Sequence, residues 1–208
     1  MKENGAKERI IEKANELFRR YGYEKTGVRD IAAACGLSVS NVQYHFPKKV
    51  NIMAAVYRQM LQRYYAERNL GMADQTDSLV SIMASEYEFI TRAYHGTAKD
   101  SYLSSLAYPE VCLAYAESST EMITNTHRFP DVNKGTLHMI NISMFGGLYQ
   151  TLQFYETHTS EYSFREAVSA PMIGRLLSLG VEREEATDIL KQAFELGDKM
   201  ISESSKGI

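Results

Sequence analysis

The segment TGVRDIAAACGLSVSNVQYHFPKK, Thr26 to Lys49, decides the fold. Val28, Ile31, Ala32 and Cys35 recur at helical spacing and predict a short helix over 28–35, with Gly27 as its N-cap and Asp30 in its first turn. Gly36 ends it. Ser38 caps a following helix whose inward residues are Val42 and Phe46, about 40° apart at roughly 100° per residue. Small Ala32 and Ala33 let the two helices approach closely. Two short helices joined through a glycine turn have helix-turn-helix geometry. Tyr44 points away from the inward pair, flanked by Ser40, Asn41 and Gln43. That face is polar, aromatic and uncharged, whereas a face that meets only water more often carries Glu and Lys. Amides and hydroxyls are the groups that base edges in a DNA groove require.

Outward from this segment, helical periodicity continues. Ile10, Ile11, Ala14, Leu17, Phe18 and Tyr21 form one face of an amphipathic helix that Gly22 stops. Pro47 suits a helix start, because its missing N–H costs nothing there. The long helix it opens carries Ile52, Val56, Tyr57, Met60, Leu61 and Tyr64 and reaches about Arg68. A loop is expected at ADQTDS after Gly71. Further helices are expected over about 77–94, 99–106, 110–126, 131–155, 163–179 with a kink at Pro171, and 184–202. The helix over 131–155 is apolar on most sides, which means central burial or a partner surface. No period-2 pattern stands out. The expected fold is all-α: an N-terminal three-helix helix-turn-helix domain over 1–49, then a larger helical bundle over 50–208.

Net charge is −3 over 208 residues, but it is unevenly placed. Residues 1–49 hold 10 Lys/Arg against 6 Asp/Glu, and the remainder 13 against 20. The short basic part is the one suited to phosphates. No run of 18 apolar residues occurs, so no membrane span is expected, and the N-terminus lacks the apolar stretch of a secretory signal. Cys35 and Cys112 are far apart and sit among apolar residues, with neither disulfide nor metal spacing. A cytoplasmic protein is the simplest reading.

The segment resembles the DNA-binding domain of the TetR-type (tetracycline-repressor-like) family, whose pattern is roughly T-T-V-R-D-I-A-x-x-A-G-V-S-x-G-x-x-Y-x-H-F-x-x-K. Thr26, Val28, Arg29, Asp30, Ile31, Ala32, Gly36, Ser38, His45, Phe46 and Lys49 match it. The preceding LFRRYGY, residues 17–23, is also similar to the family. Gly27 replaces the usual Thr/Ser cap, Ser40 a frequent Gly, Gln43 a frequent Tyr, and Val50-Asn51 an acidic pair.

The resemblance implies a DNA-contact set of Thr26, Arg29, Val39, Ser40, Asn41, Gln43, Tyr44, His45 and Lys49. Arg29 would reach a base edge, Ser40, Asn41 and Gln43 would face bases, and Tyr44, His45 and Lys49 would hold phosphates. The plainer readings stay open: Arg29 as a solvated helix-start residue, Tyr44 and His45 as surface aromatics. Lys48 reads as general surface charge.

The resemblance further implies a homodimer through roughly the last two helices, operator DNA as partner, and a small apolar or amphipathic ligand in the bundle. Met83, Tyr87, Phe89, Tyr102, Tyr115, Met122 and Phe145 are candidate pocket residues, each alternatively plain core. Locally, Ile189, Leu190, Ala193, Gly197 and Met200 make a packing stripe of unspecified partner. Repression relieved by ligand is the family default. The alternative is a DNA-binding regulator or architectural protein with no small-molecule effector, which a solid core would favour and a cavity would oppose. No catalytic residues, cofactor or metal site are expected. There is no nucleophile–base pair, His residues lack ligand spacing, and Gly146-Gly147 reads as close helix packing because no phosphate-loop lysine follows.

Overall fold

The computed structural model describes residues 2–68, 78–96 and 99–204. The loop expected at ADQTDS after Gly71 lies outside the described residues except for Ser78. Ten helices follow in order: α1 Lys2–Tyr21, α2 Val28–Cys35, α3 Val39–His45, α4 Lys49–Ala66, α5 Ser78–His95, α6 Lys99–Leu106, α7 Pro109–Asn125, α8 Lys134–Thr157, α9 Phe164–Ser178 and α10 Arg183–Ser204. No strand occurs among the described residues.

Local chemistry sets the ends of the helix-turn-helix. The Asp30 carboxylate accepts the Gly27 N–H at 2.7 Å, supplying the cap that Gly27 cannot. Gly36 closes α2 at φ +63°, a left-handed conformation that costs a side chain and suits glycine. Ser38 Oγ accepts the Asn41 N–H at 3.2 Å and caps α3. α4 begins at Lys49, two residues after Pro47, because Lys48 is still extended and Asn51 Oδ1 accepts its N–H at 3.1 Å. Asn51 thus does the capping work that an acidic residue at this position would do.

Two cores result. Ile10, Ile11, Ala14, Ile31, Ala32, Cys35, Val42 and Phe46 fill the small one, together with Ile52, Ala55 and Val56 from α4. The next residues of the same helix, Met53, Ala54, Leu61 and Tyr65, enter the large one. A boundary after Lys49 therefore falls at the first residue of a helix that belongs to both cores.

In the large core α4 packs on α7, α7 on α8, α8 on α9, and α5 on α10. The α10 stripe Ala186, Ile189, Leu190 and Ala193 is buried. It meets α5 of the same chain, and a Cβ on Gly197 would come within 2.6 Å of Tyr87 Cδ1 and 3.0 Å of the Ala84 carbonyl oxygen. Only glycine permits that approach. α9 runs unbroken through Pro171, and Gly147 of α8 faces the proline, with 3.6 Å left from an added Cβ to Pro171 Cβ. α8 is buried along Leu137, Asn141, Met144, Phe145, Leu148 and Leu152, while Met139 on the opposite face is 64% exposed.

Sequence inspection missed a buried polar knot in this bundle. Glu86 of α5 and Arg175 of α9 form a fully buried ion pair. Arg175 Nη1 also donates to Ser119 Oγ at 3.0 Å and to Asn141 Oδ1 at 3.4 Å, and Asn141 Nδ2 donates to Thr120 Oγ1 at 3.0 Å. The knot ties α5, α7, α8 and α9 together. Its signal in the sequence was Glu86 within an apolar stripe and Arg175 beside Met172 and Leu176.

Candidate nucleic-acid interface

Val42 and Phe46 are buried in the small core, which turns the opposite face of α3 outward. Ser40, Asn41 and Gln43 are exposed there, and Tyr44 is 74% exposed. Ser40 Oγ lies 3.0 Å from the capping Ser38 Oγ. His45 is half-buried, with its ring edge-on to Tyr44 at 5.2 Å. Val39 is half-buried and packs on the small core, so it reaches this face only in part. Arg29, in the first turn of α2, is exposed. The structure thus brings Arg29, Ser40, Asn41, Gln43 and Tyr44 to the surface as solvent-accessible groups, four of them on one short helix held at its N-terminus by a side-chain cap.

Two residues of the expected contact set are engaged inside the protein. Thr26 is 2% exposed, and its hydroxyl donates to the Gly22 carbonyl at 2.8 Å. It closes the loop between α1 and α2, with its hydroxyl turned into the protein. Lys49 Nζ donates to the Tyr23 carbonyl at 2.9 Å and lies 4.0 Å from the centre of the Tyr23 ring. An ammonium has three donors, so this contact leaves others for a phosphate, but the first task of Lys49 is to clamp the α1–α2 loop.

The same loop meets the large domain. The Tyr23 ring packs edge-on against Phe18 at 5.3 Å and against Tyr108 at 5.6 Å. Tyr108, the residue just before α7, donates from its hydroxyl to Glu24 Oε1 at 3.1 Å. Burial, with the nearby Tyr108, Glu24 and Glu110, pushes the Tyr23 phenol up to about 12. Beside this junction lies a cavity of about 650 Å³ lined by Glu24, Leu103, Tyr108, Tyr149, Gln153 and Glu156 among others. Sequence inspection did not bring Tyr23, Glu24 and Tyr108 together, because nothing in their spacing shows that residues more than 80 positions apart meet.

The expected pocket residues divide. Phe89, Tyr102, Tyr115 and Phe145 form one ring cluster: Tyr115 lies 5.2 Å from Phe145 and 6.0 Å from Phe89, and Phe89 lies 6.4 Å from Tyr102. Met83 and Met122 are buried in the surrounding core. Tyr87 stands apart, packed 4.5 Å from Phe194 and donating to Asp198 Oδ1 at 3.2 Å. None of the seven lines the 650 Å³ cavity or a second one of about 320 Å³ between α7 and α8.

Residues 10–56 match the family model of bacterial regulatory proteins, tetR family. The match covers less than a quarter of the chain, so the likeness is that of its N-terminal domain. Two curated relatives, both from Escherichia coli (strain K12), agree. The chain is 27% identical over 90 residues to the HTH-type transcriptional repressor ComR, a stretch covering 43% of this chain and 42% of that protein. It is 35% identical over 60 residues to the HTH-type transcriptional regulator RutR, covering 29% and 28%. The matched stretches thus span less than half the length of either relative. The crystal structure of RolR, solved in complex with resorcinol, shares the fold over 91% of this chain and 94% of its own, at a TM-score of 0.60 and 15% identity. The larger bundle is therefore of the same fold as that protein's. No helix among the described residues is long and apolar enough to cross a membrane.

Proposed function

We propose that this protein is a sequence-specific transcriptional regulator, a repressor that binds duplex operator DNA as a homodimer and is released by a small molecule. The observation that carries the DNA reading is the outward face of α3: Ser40, Asn41, Gln43 and Tyr44 exposed on a capped helix whose other side is locked into the core. Gln43 and Asn41 supply the donor–acceptor pairs that adenine presents a partner for in the major groove. Arg29 and Tyr44 flank them. Catalysis has no support in the residues, and both curated relatives are transcriptional regulators. The work site is the cytoplasm, where bacterial DNA lies.

Dimerisation is assigned to α8 and α9 rather than to α10. The α10 stripe is already covered by α5. On α8, Met139, Ile142, Ser143 and Gly146 share an outward face, and on α9 Ala170, Ile173, Gly174 and Leu177 do. Nothing stands within 4 Å of a Cβ built at Gly146 or Gly174, so this surface is open and admits a close partner. A two-fold pairing here would set two α3 helices to read half-sites about 34–36 Å apart.

Ligand response is proposed to run through α6 and α7, which carry Tyr102 and Tyr115 and end on Tyr108 at the α1–α2 loop. A shift of Tyr108 would reach Tyr23, and through it Lys49. A coupling of about 1–3 kcal/mol would change operator affinity roughly 5- to 150-fold. The effector-free alternative draws on the lack of any of the seven pocket residues at the two cavities.

Selection of bound duplexes from a random DNA pool tests the proposal. Enrichment of pseudo-palindromic sites with half-sites one helical turn or a multiple apart supports it. A pool that stays random, or asymmetric sites bound by a monomer, contradicts it.

A further inference from the structure

We infer that the ring cluster formed by α4, α5, α6, α7 and α8 recognises a neutral, flat aromatic molecule that carries a hydroxyl or carbonyl oxygen. This rests on the ligand-responsive reading above and narrows it. Tyr102 and Tyr115 are 2% and 1% exposed, and neither hydroxyl has a hydrogen-bond partner among the described residues. Buried hydroxyls are normally paired, and each orphan keeps its full desolvation cost until a partner arrives. Two such orphans on neighbouring helices of one cluster favour an oxygen-bearing guest over a hydrocarbon, which would leave both unpaired.

The walls specify the rest. Around Tyr115 stand Tyr57 at 5.5 Å, Phe89 at 6.0 Å and Phe145 at 5.2 Å, tilted or edge-on. A further aromatic ring joins such an array in the geometry that rings prefer. The neighbouring thiol of Cys112 already donates to the Leu106 carbonyl at 3.2 Å. Charges in the interior are engaged with one another: Glu86 with Arg175, and Glu88 with Arg68 and Arg92. An ionised ligand would therefore be stripped of water without a free counter-charge. Burial raises the phenols of Tyr102 and Tyr115 well above their ordinary value, so both remain neutral.

Three probes of one shape decide the matter: p-cresol, toluene and 4-methylbenzoate, titrated into the full chain and followed by calorimetry and thermal melting. p-Cresol is expected to bind and raise the melting temperature, toluene to bind about fivefold or more weakly, and 4-methylbenzoate not to bind. Tyr102→Phe and Tyr115→Phe keep the rings and remove the orphans. Each is expected to weaken p-cresol about 2- to 12-fold while the unliganded variant melts no lower than the parent. Equal binding of toluene and p-cresol, tighter binding of the carboxylate, or Phe variants that bind p-cresol unchanged overturn the inference. So does no p-cresol binding at all, as expected if the hydroxyls merely hold a buried water. A parallel panel of organic acids and amines separates the two levels. If a charged compound releases selected operator DNA, the neutral class falls and the ligand response stands. If no compound in either set changes DNA affinity, the ligand response falls as well.

Discussion

Lys49 Nζ donates to the main-chain carbonyl of Tyr23 at 2.9 Å while its ammonium stands 4.0 Å from the centre of the same residue's ring. One side chain thus holds the α1–α2 loop to the first turn of α4 by both a charge-assisted hydrogen bond and a cation–π contact. Lys49→Met should lower unfolding stability by about 1–2 kcal/mol. Urea melts of the DNA-free protein check this. An unchanged midpoint would mean that Lys49 acts at DNA alone.

The Glu86–Arg175 pair should be far more costly to break than to replace. Glu86→Met or Arg175→Met alone leaves a buried charge without its partner and should cost about 3–5 kcal/mol. The double variant Glu86→Met/Arg175→Met should recover most of that loss. A double-mutant cycle in urea measures the difference, and additive losses would contradict the role of the pair.

A charge on the open face of α9 should separate the proposed dimer without disturbing the protomer. A Cβ at Gly174 meets nothing within 4 Å in its own chain. Gly174→Arg should therefore keep a native helical spectrum, sediment as a monomer, and bind operator at least about 2 kcal/mol more weakly. A variant that remains dimeric would place the interface elsewhere.

Alkaline pH should unfold the protein steeply. Burial raises the phenols of Tyr23, Tyr57, Tyr64, Tyr65, Tyr102 and Tyr115 above their ordinary value near 10. Above pH 10 the unfolded chain loses these protons while the folded one keeps them, so stability falls as pH rises. For Tyr23 the window runs from 10 to about 12. The urea midpoint should change little from these groups below pH 9 and drop beyond 10, with part of the tyrosinate absorbance held back until unfolding, since the chain also has exposed tyrosines such as Tyr44. Tyrosinate absorbance that is complete in advance of unfolding would contradict it.

The legible parts of the molecule were those set by neighbours in sequence. α2 spans Val28–Cys35 as periodicity predicts, because Gly27, Asp30 and Gly36 supply its start and stop within ten residues. The α3 face was legible for the same reason: Val42 and Phe46 fix its rotation. What stayed hidden depends on distant partners. Thr26 and Lys49 match the contact motif, but the carbonyls of Gly22 and Tyr23 take their donors once the α1–α2 loop folds back. The α10 stripe announced a packing face but not that α5, more than 90 residues earlier, covers it. Glu86 and Arg175 each stand among apolar residues of their helices, but nothing in the sequence pairs two positions so far apart.

Gln43 and Tyr44 are proposed to project from α3 into a DNA groove. The most direct test is a competition titration at fixed salt between a selected operator and a scrambled duplex, comparing the parent with Gln43→Ala and Gln43→Ala/Tyr44→Ala. The predicted result is a loss of about 1–3 kcal/mol of operator-over-scrambled discrimination for Gln43→Ala, and weaker operator binding again in the double variant, with melting changed by less than about 0.5 kcal/mol. Undiminished discrimination in a folded double variant would contradict it.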